Sequence, residues 1–201
     1  AAGEVVSAGY MREARDLLGN RVSCFVQDAS LPGTWAEYAI AHWQDCIELR
    51  KNIPDEQAAT LGVNPFTAYA LFDIVKAAGK DAFIQDAASG QVGMFLRNMA
   101  RDAGIRVINI VRKEEQVQTL QKEGEKYVLN MSVEGFEDEL SSLAHEMQVK
   151  IAFDAVGGET SGTIFNSMPA GGRLILYGGL SGQRLCNVET MDLIFQNKDI
   201  T

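Results

Sequence analysis

The sequence predicts an α/β protein built on a parallel, doubly wound sheet. From position 81 onward, short apolar runs of strand length alternate with segments of helix length, a rhythm that implies right-handed crossovers between parallel strands. The stretch 81–112, DAFIQDAASGQVGMFLRNMARDAGIRVINIVR, contains one whole unit of this kind: strand, glycine turn, helix and second strand. With 46% apolar and 22% charged residues over 201 positions, the chain has an ordinary globular composition and can bury a sizeable core.

The first third of the chain is strand-like. Strands are predicted over 3–9 and 21–26, and over 34–40 after the Pro32-Gly33 turn, with a further short one at 45–48. Segment 14–18, before Gly19-Asn20, reads as a helical turn or a loop. These pieces are too small to close on themselves, so partner strands upstream are expected. Pro54-Asp55-Glu56-Gln57 then starts a helix, with proline in the first turn and acidic residues at the positive end of the dipole. Asn64-Pro65-Phe66-Thr67 starts another, running through Ala70, Leu71 and Ile74 to a stop near Gly79.

The alternation then begins. A strand over 82–85 leads into a helix whose apolar face is Val92, Phe95, Leu96 and Met99, and a second strand spans 107–112. Strands follow at 126–129, 151–154 and 173–177, with helices over 136–147 and 160–168 between them. Residues 198–201 read as the start of a sixth strand that the chain cuts short.

The turn Ala87-x-x-Gly90-x-x-Gly93 lies at a helix N-terminus, where backbone N–H groups and the positive dipole end can hold a pyrophosphate. Gly90 would let the main chain approach the phosphates and Gly93 would let the helix pack on its strand, while Ala87 stands where the usual fingerprint has its first glycine. Ser89, Gly90, Gln91, Val92 and Gly93 are therefore the candidate pyrophosphate binders. About 20 residues further on, where an NAD site would carry a carboxylate, the strand ends in Arg112-Lys113. A guanidinium can grip a 2′-phosphate that a carboxylate would repel, so the pair points to NADP(H). A plain strand-to-helix turn and a solvated basic pair are the competing readings.

Charge and cysteine usage narrow the function classes. A formal charge of −9, from 27 acidic and 18 basic residues, disfavours nucleic acid or an anionic membrane as the main partner. No apolar run approaches a membrane span and no signal peptide opens the chain, so a soluble intracellular protein is expected, mitochondrial or cytoplasmic. Cys24, Cys46 and Cys186 are scattered, odd in number and without a C-x-x-C, which favours reduced, structural cysteines. His42 and His145 have no second ligand at a workable spacing, and no metal is expected.

Five motifs in order carry a family resemblance: Gly33-Thr34-Trp35-Ala36-Glu37-Tyr38, Val63-Asn64-Pro65-Phe66-Thr67-Ala68-Tyr69, the Ala87–Gly93 turn, Asp154-Ala155-Val156-Gly157-Gly158, and Gly171-Gly172-Arg173 through Tyr177-Gly178-Gly179. Together they resemble the medium-chain dehydrogenase/reductase superfamily over nearly the whole chain. Within it, Asn-Pro-Phe-Thr-Ala-Tyr and Ile-Asn-Ile-Val-Arg are most similar to the zinc-independent 2-enoyl thioester reductases, with quinone oxidoreductases as near neighbours.

The resemblance implies part of a GroES-like catalytic β domain at 1–62 and a Rossmann NADP(H)-binding domain at 63–201. It implies a hydride transferred from NADPH to the activated double bond of an enoyl-CoA or enoyl-ACP, or to a quinone. A non-catalytic dinucleotide-binding relative is the third reading. Asn64 and Thr67 match positions facing the nicotinamide and substrate, where an amide and a hydroxyl suit a carboxamide or an enolate oxygen; helix capping is their other reading. Tyr127 and Asn130 match a strand end near the cofactor phosphates, with packing the alternative for Tyr127. Val156, Gly157, Tyr177, Gly178 and Gly179 match the rim where a doubly wound sheet receives a flat ring. The resembled reductases have a proposed tyrosine proton donor in the upstream β domain, and no matching motif occurs here. A homodimer is expected of the full-length protein.

Overall fold

A computed structural model describes all 201 residues except Gln27, Ala29 and Leu185. The chain divides into two compact units, Ala1–Thr67 and Ala68–Thr201.

In the first unit, β1 (Ala2–Glu4), β2 (Arg21–Cys24) and β3 (Cys46–Glu48) form an antiparallel sheet in the order β1-β2-β3. Helix α1 (Arg12–Asp16) joins β1 to β2, and α2 (Asp55–Ala58) follows β3. Arg21 on β2 reaches α2, donating to the Ile53 carbonyl at 3.0 Å and pairing with Asp55. The sequence overestimates the strands here. Segment 34–40, expected to be a strand, is a series of bends with Trp35 fully exposed, because among the described residues no neighbouring strand satisfies its backbone. The 3–9 strand is shortened to β1 for the same reason.

Helix α3 (Asn64–Ala77) crosses the division between the units. In the second unit the expected parallel sheet is present, with strand order β6-β5-β4-β7-β8-β9. It comprises β4 (Ala82–Gln85), β5 (Arg106–Val111), β6 (Tyr127–Asn130), β7 (Ile151–Asp154), β8 (Arg173–Leu176) and β9 (Asp199–Ile200). The crossovers run through α4 (Gln91–Ala103), α5 (Glu114–Lys122), α6 (Phe136–Glu146), α7 (Glu159–Ser167) and α8 (Thr190–Phe195). Every strand pairing is parallel, and the order reverses between β4 and β7, where such sheets leave a crevice at the strands' C-terminal ends.

Apolar residues fill both faces of this sheet. Ile84, Ile108, Ile110, Leu140, Ile164 and Phe165 pack on one side. On the other, Phe83 and Phe153 meet with ring centroids 5.3 Å apart against Leu71, Val75 and Leu96 of α3 and α4. The buried face of α4 is rotated from the one its apolar residues predict. Gly93, Leu96, Arg97 and Ala100 are its fully buried positions, whereas Val92, Phe95 and Met99 pack at the edge. The rotation follows from close contact between α4 and the turn that precedes it.

Candidate functional site

The Ala87–Gly93 turn leaves the C-terminal end of β4, the central strand next to the crevice. Ala87 adopts the left-handed region at φ 44°, the conformation that normally calls for glycine, and the Gly90 N–H closes the turn on the Ala87 carbonyl at 2.8 Å. Gly90 is the N-cap of α4 and supplies no side-chain cap, so the helix presents its positive end at the turn. A side chain at Gly93 would bring its Cβ to 2.5 Å from the Ala88 carbonyl oxygen, so only glycine lets α4 lie against the turn. Arg97 braces the same carbonyl from one turn further along: its buried guanidinium donates to Ala88 and reaches Glu123 at 2.8 Å.

A second layer fixes the turn to the next strand. Gln116 Nε2 donates to Ser89 Oγ at 2.7 Å, and Gln116 Oε1 accepts the N–H groups of Arg112 and Lys113, both at 3.1 Å. The side chains of Arg112 and Lys113 are exposed, and Lys113 Nζ lies 3.4 Å from Glu115. Beneath the turn, Gln85 Nε2 donates to Asn109 Oδ1 at 2.7 Å and to the Gly93 carbonyl at 3.3 Å, joining β4, β5 and α4 through the buried interior.

Across the crevice, two carboxyls end adjacent strands. Asp86 and Asp154 are both 0% exposed. Asp86 accepts from the N–H of Ala155 at 2.7 Å and of Val156 at 3.3 Å; Asp154 accepts from Val156 and Gly157, both at 2.7 Å, and from the Ser161 hydroxyl. Burial, then the hydrogen bond to Asp154 and the charge of Asp154, push the Asp86 carboxyl up to about 8, while its bonds to the backbone N–H groups act the other way. At neutral pH the Asp86 carboxyl therefore favours its protonated form. Tyr177 completes the group. Its phenol is raised above the ordinary value, first by burial and then by the charges of Asp86 and Asp154.

These carboxyls shape the rim. Gly157 takes φ 74°, and its outward side faces the Gly179 Cα, 3.6 Å from where a Cβ would sit. The 177–181 segment runs beside 154–156 through bonds from Tyr177 to Asp154 at 2.9 Å, Leu180 to Ala155 at 3.0 Å and Ser181 to Val156 at 2.8 Å. Val156, Gly157, Tyr177, Gly178 and Gly179 thus stand together at one edge of the sheet, the same C-terminal edge that carries the turn. Asn130 is also at this edge, where its Oδ1 accepts the Ser132 N–H at 3.0 Å. Tyr127 is not: it begins β6, at the opposite end of a parallel strand, with the Lys126 ammonium 5.0 Å over its ring. Asn64 and Thr67 lie in the first unit, in the opening turn of α3, where the Thr67 hydroxyl donates to the Val63 carbonyl at 3.1 Å.

Sequence reasoning missed Asp86, Arg97 and Gln116 as site-forming residues. Asp86 and Asp154 carry a readable signal, since each is a carboxylate closing a short strand immediately before a turn. Arg97 and Gln116 carry none, because only packing reveals what they reach.

Residues 92–201 match the family described as zinc-binding dehydrogenase. A mitochondrial enoyl-[acyl-carrier-protein] reductase of Dictyostelium discoideum is 31% identical over 84% of this chain and 49% of its own length. The crystal structure of a candidate NADPH:quinone reductase from Mesorhizobium loti superposes with a TM-score of 0.93 at 38% identity, covering 99% of this chain and 58% of that one. A mycobacterial protein solved in complex with NADPH gives a TM-score of 0.82 at 25% identity over 100% of this chain and 62% of its own. The chain spans about half the length of the curated relatives it matches. The family's description raises the question of zinc, which is held by several nitrogen, sulfur or oxygen donors converging on one point. Among the described residues no group of three or more His, Cys, Asp or Glu could hold a metal; His42 is exposed beside Asp28 at 3.8 Å, and His145 Nδ1 contacts the Ser141 carbonyl at 2.9 Å.

Proposed function

Because this chain belongs to the zinc-binding dehydrogenase family, and with it to the medium-chain dehydrogenase/reductase superfamily, we propose that the protein is an NADPH-dependent, zinc-independent oxidoreductase acting on the activated double bond of a 2-enoyl thioester. The observation that carries the reading is the turn between β4 and α4. Its left-handed Ala87, its uncapped Gly90 and its tightly packed Gly93 form a pyrophosphate cradle at a helix N-terminus, and Gln116 ties that cradle to the backbone of Arg112.

NADPH supplies the hydride when bound. In this reading Ser89 through Gly93 hold the pyrophosphate, Arg112 and Lys113 read the 2′-phosphate, and Asn130 lies near the phosphates. Val156 and Gly157 with Tyr177, Gly178 and Gly179 flank the nicotinamide at the crevice. Asn64 and Thr67 offer an amide and a hydroxyl to the carboxamide or to the enolate oxygen that develops as hydride reaches the β-carbon. The first unit is part of the GroES-like β domain. The enoyl thioester is supported by the Dictyostelium relative, whose name also supports a mitochondrial location. A quinone is the second reading, supported by the Mesorhizobium structure at higher identity.

Following NADPH oxidation by the full-length protein with crotonyl-CoA and with a benzoquinone tests both. Turnover of crotonyl-CoA, unchanged after dialysis against a chelator, is expected. Turnover of the quinone alone would replace this reading with the second, and NADPH binding with no turnover of either would identify a non-catalytic relative.

A further inference from the structure

Cys24 and Cys46 stand directly opposite each other on β2 and β3. The Leu49 N–H donates to the Arg21 carbonyl at 2.8 Å and the Phe25 N–H to the Asp45 carbonyl at 3.3 Å. Hydrogen-bonded and non-hydrogen-bonded pairs alternate along an antiparallel ladder, so these two bonds make Cys24/Cys46 a non-hydrogen-bonded pair. At such a pair the Cα atoms are about 4.5 Å apart and both side chains leave the same face, the closest approach a sheet offers. That separation lies within the range of roughly 4.4–6.8 Å that a disulfide spans. Both thiols are half-buried, neither sealed in the core nor fully in solvent.

We propose that Cys24 and Cys46 form a reversible cross-strand disulfide by exchange with an oxidised low-molecular-weight thiol, represented by glutathione disulfide. The Cys24 thiolate attacks one glutathione sulfur, giving a mixed disulfide and releasing one glutathione thiolate. Cys46 then gives up its proton and attacks the Cys24 sulfur, forming the Sγ–Sγ bond and expelling the second glutathione thiolate. The protein pair loses two electrons and two protons; glutathione disulfide gains both and leaves as two glutathiones. Cys46 is the resolving thiol. Burial, then the neighbouring Cys24 and Asp45, raise its thiol above the ordinary value, and its Sγ–H donates to the His42 carbonyl at 3.4 Å. The bond closes a ring around segment 25–45, which holds the exposed Trp35 and Tyr38, and so restricts the open conformations of that segment.

Treating the full-length protein with glutathione disulfide, alkylating the remaining thiols and mapping the peptides tests this. The expected product joins the Cys24 and Cys46 peptides with the loss of two hydrogens, reverts with dithiothreitol and leaves Cys186 alkylated. Cys46→Ser is expected to retain glutathione on Cys24, and proteolysis within 25–45 is expected to slow on oxidation in the wild type but in neither Cys24→Ser nor Cys46→Ser. Stable glutathione adducts in the wild type without a cross-link would overturn the proposal. So would a cross-link through Cys186, or Cys24 and Cys46 both staying reduced.

Discussion

Gln116 Nε2 donates to Ser89 Oγ across 2.7 Å, so a side chain from the first turn of α5 holds the turn that follows β4. The same amide's oxygen accepts the N–H groups of Arg112 and Lys113, so one residue sets the spacing between the two cofactor-facing segments proposed above. Gln116→Ala removes these three bonds from a half-buried position without touching the core. NADPH affinity measured by calorimetry is expected to fall by about 1 kcal/mol, roughly fivefold, with the thermal midpoint nearly unchanged. Unaltered affinity would show that the turn keeps its geometry without the brace.

Arg112 is exposed, and among the described residues its guanidinium makes no ion pair, which leaves it available to a phosphate. Arg112→Ala is expected to weaken NADPH binding by about 2–4 kcal/mol, the size of one or two charge-assisted hydrogen bonds, and to leave NADH binding nearly unchanged. Equal losses for the two cofactors would remove Arg112 from the role of 2′-phosphate reader.

Ala87 and Gly93 invert each other's chemistry. Ala87 holds a left-handed backbone that disfavours a Cβ, so Ala87→Gly is expected to change stability by no more than about 1 kcal/mol, towards a more stable fold, and to retain cofactor binding. Gly93→Ala places a Cβ 2.5 Å from the Ala88 carbonyl oxygen and is expected to cost about 1–3 kcal/mol. Chemical denaturation of both variants checks the pair, and a Gly93→Ala protein as stable as the wild type would mean that α4 slides away from the turn at little cost.

Asp86 makes stability depend on pH in a set direction. Its folded value of about 8 lies above the ordinary 3.8, so between those values the folded state binds a proton that the unfolded chain has lost. Stability from this group is complete below about pH 4, falls as pH rises by up to about 1.4 kcal/mol per unit, and levels off above about pH 8. Asp86→Asn keeps an oxygen for the Ala155 N–H and removes the titrating group, so the variant is expected to lack that slope. Parallel stability curves for the two proteins from about pH 5 to pH 8 would show that the Asp86 carboxyl is not held protonated in the fold.

The sequence by itself determined the parallel sheet, the strand–turn–helix unit at 81–112 and the basic pair closing its second strand. Each rests on local information: strand-length apolar runs alternating with helices, and glycines at fixed offsets, constrain backbone paths whatever surrounds them. The same local reading overreached at 34–40, a run after the Pro32-Gly33 turn that finds no neighbouring strand among the described residues. The family resemblance set Tyr127 beside Asn130 at one strand end, whereas Tyr127 begins β6 and Asn130 closes it, at opposite edges of the sheet.

Only the tertiary structure decided that Asp86 and Asp154 are buried together, that Arg97 is buried against the Ala88 carbonyl, and that Cys24 faces Cys46. Each of these joins residues 9 to 68 positions apart through burial or strand register. The energetics of a carboxyl or a thiol depend on which groups exclude water from it and which lie opposite, and neither is written in the residue's own neighbourhood along the chain.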